Sequence, residues 1–212
     1  MRSAARRSVD KPNILIDALP ETVTVNGREF SFRTGFRYGI MFELLMLDPE
    51  MDGQQKTLDA LNLFFEEIPD DAEAAVDAIL WFYACGDESK VKKAKETDDK
   101  QSEQQPQRKA QRYYDYNVDA GLIYAAFLDQ YGIDLSDSDL HWWKFRALFD
   151  GLKSENEFCK IVGYRAVDLS KIKNKAERKR LAILKNKHAL PSLLSEEEKI
   201  AMAGNAFAGG SR

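Results

Sequence analysis

Asp139-Leu140-His141-Trp142-Trp143-Lys144-Phe145-Arg146-Ala147-Leu148-Phe149 places two of the chain's three tryptophans in one helical stretch. At about 100° per residue, Trp142, Phe145 and Phe149 share one side, Leu140, Trp143 and Ala147 lie nearly opposite, and Lys144 and Arg146 fall between. A helix built this way must be covered twice, once by the domain core and once by a second helical layer or by a partner with apolar surface. Aromatic side chains are core before they are interface, so the block reads first as a central core helix. Trp142, Trp143, Phe145 and Phe149 are candidate partner contacts through whichever stripe the core leaves bare. Nothing in the block performs chemistry.

Upstream, residues 1–12 read as an irregular lead-in, and order is expected from Asn13. Glu21-Thr22-Val23-Thr24-Val25 and Arg28-Glu29-Phe30-Ser31-Phe32 alternate polar with apolar around Asn26-Gly27, which predicts a β-hairpin. Thr34 is the expected cap of a helix carrying Phe36, Ile40, Leu44 and Leu47, stopped by Asp48-Pro49. A second helix carries Leu58, Leu61 and Phe65. A third, capped by Asp70 or Asp71, carries Ala75, Ile79 and Phe82 and ends near Gly86.

Residues 87–112 break the pattern, with eight basic and six acidic residues scattered among Gln and Ser and only Val91 as a large apolar side chain. Such a segment is a disordered linker or a charged helix without a buried face, and disorder is the favoured expectation. Asp115 is then expected to cap a central helix through Leu122, Phe127 and Leu128, closed by Gly132. Acidic residues between Asp134 and Asp139 should introduce the Trp helix, and Gly151 should close it. Ser154-Glu155-Asn156-Glu157 matches a capping box for a short helix ending at Gly163, and Ser195-Glu196-Glu197-Glu198 matches another. Residues 201–212 should fray. The fold class is therefore mainly α, a small N-terminal β-hairpin followed by an irregular multi-helix bundle, forming one domain over 13–200 that is interrupted by the charged linker.

With 212 residues, 44% of them hydrophobic, the chain can bury a substantial core. Its net charge of −4 does not favour nucleic acid as a partner. No apolar run is long enough to span a bilayer, and no apolar segment follows Arg6-Arg7 as an export signal would require, so a cytoplasmic protein is expected. Cys85 and Cys159 stand alone and read as small buried hydrophobes in a reducing compartment.

Candidate chemistry is sparse. Asp48-Pro49-Glu50-Met51-Asp52-Gly53 with Asp59 at the twelfth position resembles a calcium loop, but Glu at the third position and Asp at the twelfth leave the cage poorly closed. An ordinary helix–helix turn is expected there. His141, His188 and the cysteines have no zinc-like spacing, and no glycine pattern for phosphates or nucleophile elbow is present. No catalytic residue, cofactor or metal is assigned, and an enzyme is not expected.

The one electrostatic anomaly runs from Lys171 to Lys187, with eight basic residues against Glu177 alone. Ile172, Ala176, Leu181 and Leu184 can still give it an apolar face, so its bland reading is a surface helix with solvated lysines. As a binding face, Lys175, Arg178, Lys179 and Arg180 would meet an acidic protein. Nucleic acid is the lesser expectation, because the stretch has no aromatic side chain for bases to stack on.

Asn13-Ile14-Leu15-Ile16-Asp17-Ala18-Leu19-Pro20, the hairpin, Ile79-Leu80-Trp81-Phe82-Tyr83, Ile123-Tyr124-Ala125-Ala126-Phe127, the Trp block, Gly163-Tyr164-Arg165 and Asp168-Leu169-Ser170-Lys171-Ile172-Lys173 together resemble the bacteriophage gene-product-fifteen family of long-tailed phages and prophages. The resemblance spans Asn13 to Lys199. It implies a protein of the tail-morphogenesis module, looking like a tail assembly chaperone that binds the tape measure protein or a sibling chaperone; self-association is a further option, and the lack of a long apolar run argues against a membrane partner. It transfers no catalytic residue. Two other classes stand beside it, a structural or connector component of the mature tail and a nucleic-acid-binding regulator using 171–187.

Overall fold

In the computed structural model, residues 11–91 and 112–193 are described. The second expected capping box, the frayed end and most of the expected linker lie outside them. Of that linker, 87–91 and Arg112 are described: the Asp87 carboxylate accepts from the Ser89 N–H at 3.1 Å, 88–91 is helical, and Arg112 pairs with Asp115. The mainly helical fold with an N-terminal hairpin is as expected.

Strands β1 (Thr22–Val25) and β2 (Arg28–Ser31) pair antiparallel with Val23 opposite Phe30. Asn26 and Gly27 both have positive φ, 50° and 82°, the backbone that a two-residue turn needs to match the strand twist. Alternation buries Val23, Val25, Phe30 and Phe32. Helices α1 (Phe36–Leu47), α2 (Gly53–Phe64) and α3 (Ala72–Tyr83) follow, then α4 (Ala120–Tyr131), α5 (Trp142–Asp150), α6 (Glu157–Ala166), a 3-10 turn at Leu169–Lys171, and α7 (Lys175–Lys187).

The chain packs into two compact units, each assembled from segments distant in sequence. Unit 1 takes 11–42, 57–91 and 136–151 of the described residues; unit 2 takes 43–56, 112–135 and 152–193.

Several element starts differ from their expected positions, each for a local reason. Thr34 does not cap α1: among the described residues its hydroxyl makes no bond to the first turn, and the backbone there is bonded across the unit, the Thr34 carbonyl accepting the Trp142 N–H at 2.7 Å and the Phe36 N–H donating to Leu140 at 2.8 Å. The α2 stripe is displaced: Ala60, Leu61, Phe64 and Phe65 are buried, whereas Leu58 is 51% exposed. Asp71 does cap α3, accepting from Ala74 at 3.0 Å. Asp115 instead caps the turn before α4, accepting from Asn117 at 2.7 Å and Val118 at 3.0 Å, and α4 starts after Asp119. Gly132 ends α4 at φ 65°. Leu128 is exposed, so α4 is not apolar-packed all round. Ser154 is not a cap; Asn156 is, accepting from Cys159 at 2.9 Å, and α6 runs through Gly163 to Ala166.

Candidate functional site

The Trp block forms the heart of unit 1. Trp142 and Phe145 are fully buried, Trp143 and Phe149 nearly so. The cap of α5 is His141 rather than an acidic residue: its Nδ1 accepts the Trp143 N–H at 3.1 Å, and its Nε2 lies 3.1 Å from the Pro20 carbonyl. A carbonyl only accepts and the Trp143 N–H only donates, so the ring is neutral with its proton on Nε2. Desolvation holds the His141 pKa below its usual value, against an opposing pull from the Pro20 hydrogen bond.

Both stripes of α5 are covered by the chain itself. On one, Trp142 stacks on Tyr83 with centroids 5.3 Å apart, and Phe145 stacks on Phe36 at 5.0 Å. On the other, Trp143 meets Trp81 edge-on at 5.5 Å. The indole N–H groups donate to consecutive carbonyls at the end of α3, Trp143 to Phe82 at 2.8 Å and Trp142 to Tyr83 at 2.9 Å. Carbonyls in a helix's last turn have no partner within the helix, so the tryptophan pair closes α3 as it fills the core. Trp142, Trp143, Phe145 and Phe149 are thus buried side chains in this fold.

Loop 48–53 shows no cation cage. The Asp48 carboxylate accepts from the Glu50 N–H and the Asp52 carboxylate from the Gln55 N–H, both at 2.8 Å. These are turn and cap bonds, and no cluster of three or more His, Cys, Asp or Glu suited to a metal ion occurs among the described residues. Burial raises the thiol pKa of both Cys85 and Cys159, the opposite of what a reactive thiolate needs.

Unit 2 contains a polar network that sequence periodicity does not reveal. Arg165 of α6 forms a two-pronged pair with Asp119, at 2.6 Å from Nη1 and 2.9 Å from Nη2, with both side chains buried. Its Nε also donates to His188 at 2.6 Å and its Nη1 to Tyr113 at 3.1 Å. Arg112 pairs with Asp115 and donates to the Pro191 carbonyl at 3.0 Å. The chain leaving α7 is thereby tied to the stretch preceding α4. Arg165 and Asp119 sit at a helical position and a cap position with no local sequence signal joining them.

Residues 175–187 of the basic stretch form α7, capped by Asn174, whose side-chain oxygen accepts from the Ala176 N–H at 2.9 Å and the Glu177 N–H at 3.0 Å. None of its residues is buried. Leu181, Ala182, Leu184 and Lys185 are half-covered, and Lys185 Nζ donates to the Val167 carbonyl at 2.7 Å. Lys175, Arg178, Lys179, Arg180 and Lys187 are exposed. Of the eight partner-contact candidates, the structure places four aromatics in the core of unit 1 and four cations on the surface of α7.

Helices on an aromatic core in unit 1, and a cationic exposed helix in unit 2, define a small, mainly helical protein. The family model for Bacteriophage Gp15 protein matches residues 15–190, and the chain belongs to that family. No curated protein and no solved structure matches it. No helix among the described residues is long and apolar enough to cross a membrane.

Proposed function

We propose that this phage protein acts in tail morphogenesis as an assembly chaperone that binds the tape measure protein, or a sibling chaperone, before the tail tube forms. Membership of the Gp15 family carries the reading, together with the resemblance of its motifs to the tail module. A tape measure is long and amphipathic, and its apolar stripes aggregate unless another protein covers them. The exposed helix α7 supports a protein-binding role, since it holds a row of cations and an aliphatic side chain at the surface. The buried Trp block supports the scaffold of such a role rather than its contact surface.

The test is co-expression with the neighbouring tape measure gene. The expected result is a complex on affinity pull-down and a larger soluble fraction of tape measure. Absence of both, with the protein present in stoichiometric amounts in purified virions by mass spectrometry, assigns it to the mature tail and overturns the chaperone reading.

A further inference from the structure

The exposed face of α7 has a defined pattern. Ile183 is 60% exposed at its centre. Ala176, two turns earlier on the same stripe, is exposed as well. Lys179, Arg180 and Lys187 each lie one turn from Ile183, and Lys175 lies one turn before Lys179. Among the described residues none of these four cations has an ion pair or side-chain hydrogen bond, whereas Lys185 is held by Val167 and Lys171 by Asp168. The opposite side of the helix, through Leu181 and Leu184, is the half-covered one.

We infer that this face, Ala176 and Ile183 framed by Lys175, Lys179, Arg180 and Lys187, is a docking surface for an acidic amphipathic helix. The inference rests on the proposed protein-binding role and assigns it a surface. Charge complementarity selects the occupant: four cations without an ion pair among the described residues, set around an aliphatic centre, match a helix with one apolar stripe flanked by Glu or Asp. A nucleic-acid backbone would leave Ile183 facing phosphate, with no aromatic platform for bases. A lipid surface would need a broad apolar face, and α7 offers one large exposed aliphatic. Leu15 and Ile16, more exposed than Ile183, sit on a turn closed by Asn13 and Asp17 that has no cation among its own residues 13–17. Of the four cations expected from the sequence, Arg178 falls away from this stripe, and Lys187 and Ile183 join it.

The full chain is titrated against a fluorescein-labelled helical peptide with a leucine stripe flanked by glutamates, read by fluorescence anisotropy at low and high salt. A short DNA duplex and phosphatidylserine vesicles serve as rival probes. The expected result is that the peptide binds, Ile183→Ser weakens it about tenfold with an unchanged melting curve, and Lys179→Glu with Arg180→Glu slows association and flattens its salt dependence. Peptide binding that is absent or indifferent to Ile183→Ser overturns the inference. Tighter binding of the duplex or the vesicles also overturns it, as does concentration-dependent self-association abolished by Ile183→Ser, which would assign the face to a second copy. A tape measure complex that survives Ile183→Ser overturns this surface and leaves the assembly role standing; failure of the parent chain to form that complex overturns the role while the peptide titration still decides the surface.

Discussion

Gly39 lies under the indole of Trp142 so closely that a Cβ added at this glycine would stand 2.2 Å from the Trp142 Cε3. The glycine is needed for space, not for an unusual backbone, since it sits inside α1. Every other glycine of the described helices, Gly53, Gly121 and Gly163, has open space where a Cβ would go.

Gly39→Ala is therefore expected to destabilise the protein despite the better helix propensity of alanine. Overpacking of this kind costs about 1–3 kcal/mol, against a propensity gain of about 1 kcal/mol. Chemical denaturation followed by tryptophan fluorescence measures it. Gly121→Ala and Gly163→Ala are the controls, and stabilisation of all three alike would contradict the contact with Trp142.

Replacing Trp143 by phenylalanine keeps much of the ring volume but leaves the Phe82 carbonyl without its indole donor. That carbonyl still accepts from the Cys85 N–H at 3.0 Å, so the loss is the net worth of one hydrogen bond, about 0.5–1.5 kcal/mol. Trp143→Ala adds a cavity and should cost about 3–5 kcal/mol, as should Trp142→Ala. If the alanine variants melt with the parent in differential scanning calorimetry, the block is not the core described here.

Acid should weaken the start of α5. Protonating His141 places a second N–H against the Trp143 N–H that Nδ1 now accepts. The folded pKa is lowered, so the unfolded chain takes up this proton first. The contribution is whole above the unfolded value of about 6.5 and declines as pH falls through it toward the lower folded value. Urea midpoints between pH 8 and pH 5 should show the decline, and His141→Asn, which caps without titrating, should flatten it.

Breaking the Arg165–Asp119 pair from one side leaves a buried charge uncompensated. Arg165→Met or Asp119→Leu should each cost about 3–5 kcal/mol, and the double variant should recover part of that. Amide exchange of Tyr113 to Asp119 and of His188 to Pro191 should rise together in the single variants, because the one guanidinium holds both stretches. Additive losses in the double variant would show that the two residues are not coupled.

Much of the fold is legible in the sequence where the signal is local. Asn26-Gly27 between alternating strands specifies the hairpin, Asp71 caps α3 as its position predicts, and Gly132 ends α4. What is not legible comes from contacts between distant segments. At Thr34 and Phe36 the backbone is bonded across to Trp142 and Leu140, and Gly39 is spared a side chain for the same Trp142. The periodic pattern shows that Trp142 and Trp143 need covering, but not that Tyr83 and Trp81 cover them. The basic helix was visible as a run of charge, while its exposed stripe depended on Leu181 and Leu184 turning inward to leave Ile183 out.

The residues that open the tryptophan helix and the basic helix differ in their response to acid. In unit 1, α5 opens on an imidazole and α3 on a carboxylate whose pKa is lowered chiefly by its bond from Ala74. In unit 2, α6 and α7 both open on asparagine amides, which carry no proton to gain. Mild acidification thus loosens the entrance to the tryptophan helix while the beginning of the basic helix keeps its hydrogen bonds. A moderate drop in pH is a reagent that perturbs the aromatic core and leaves the start of the cationic face in place.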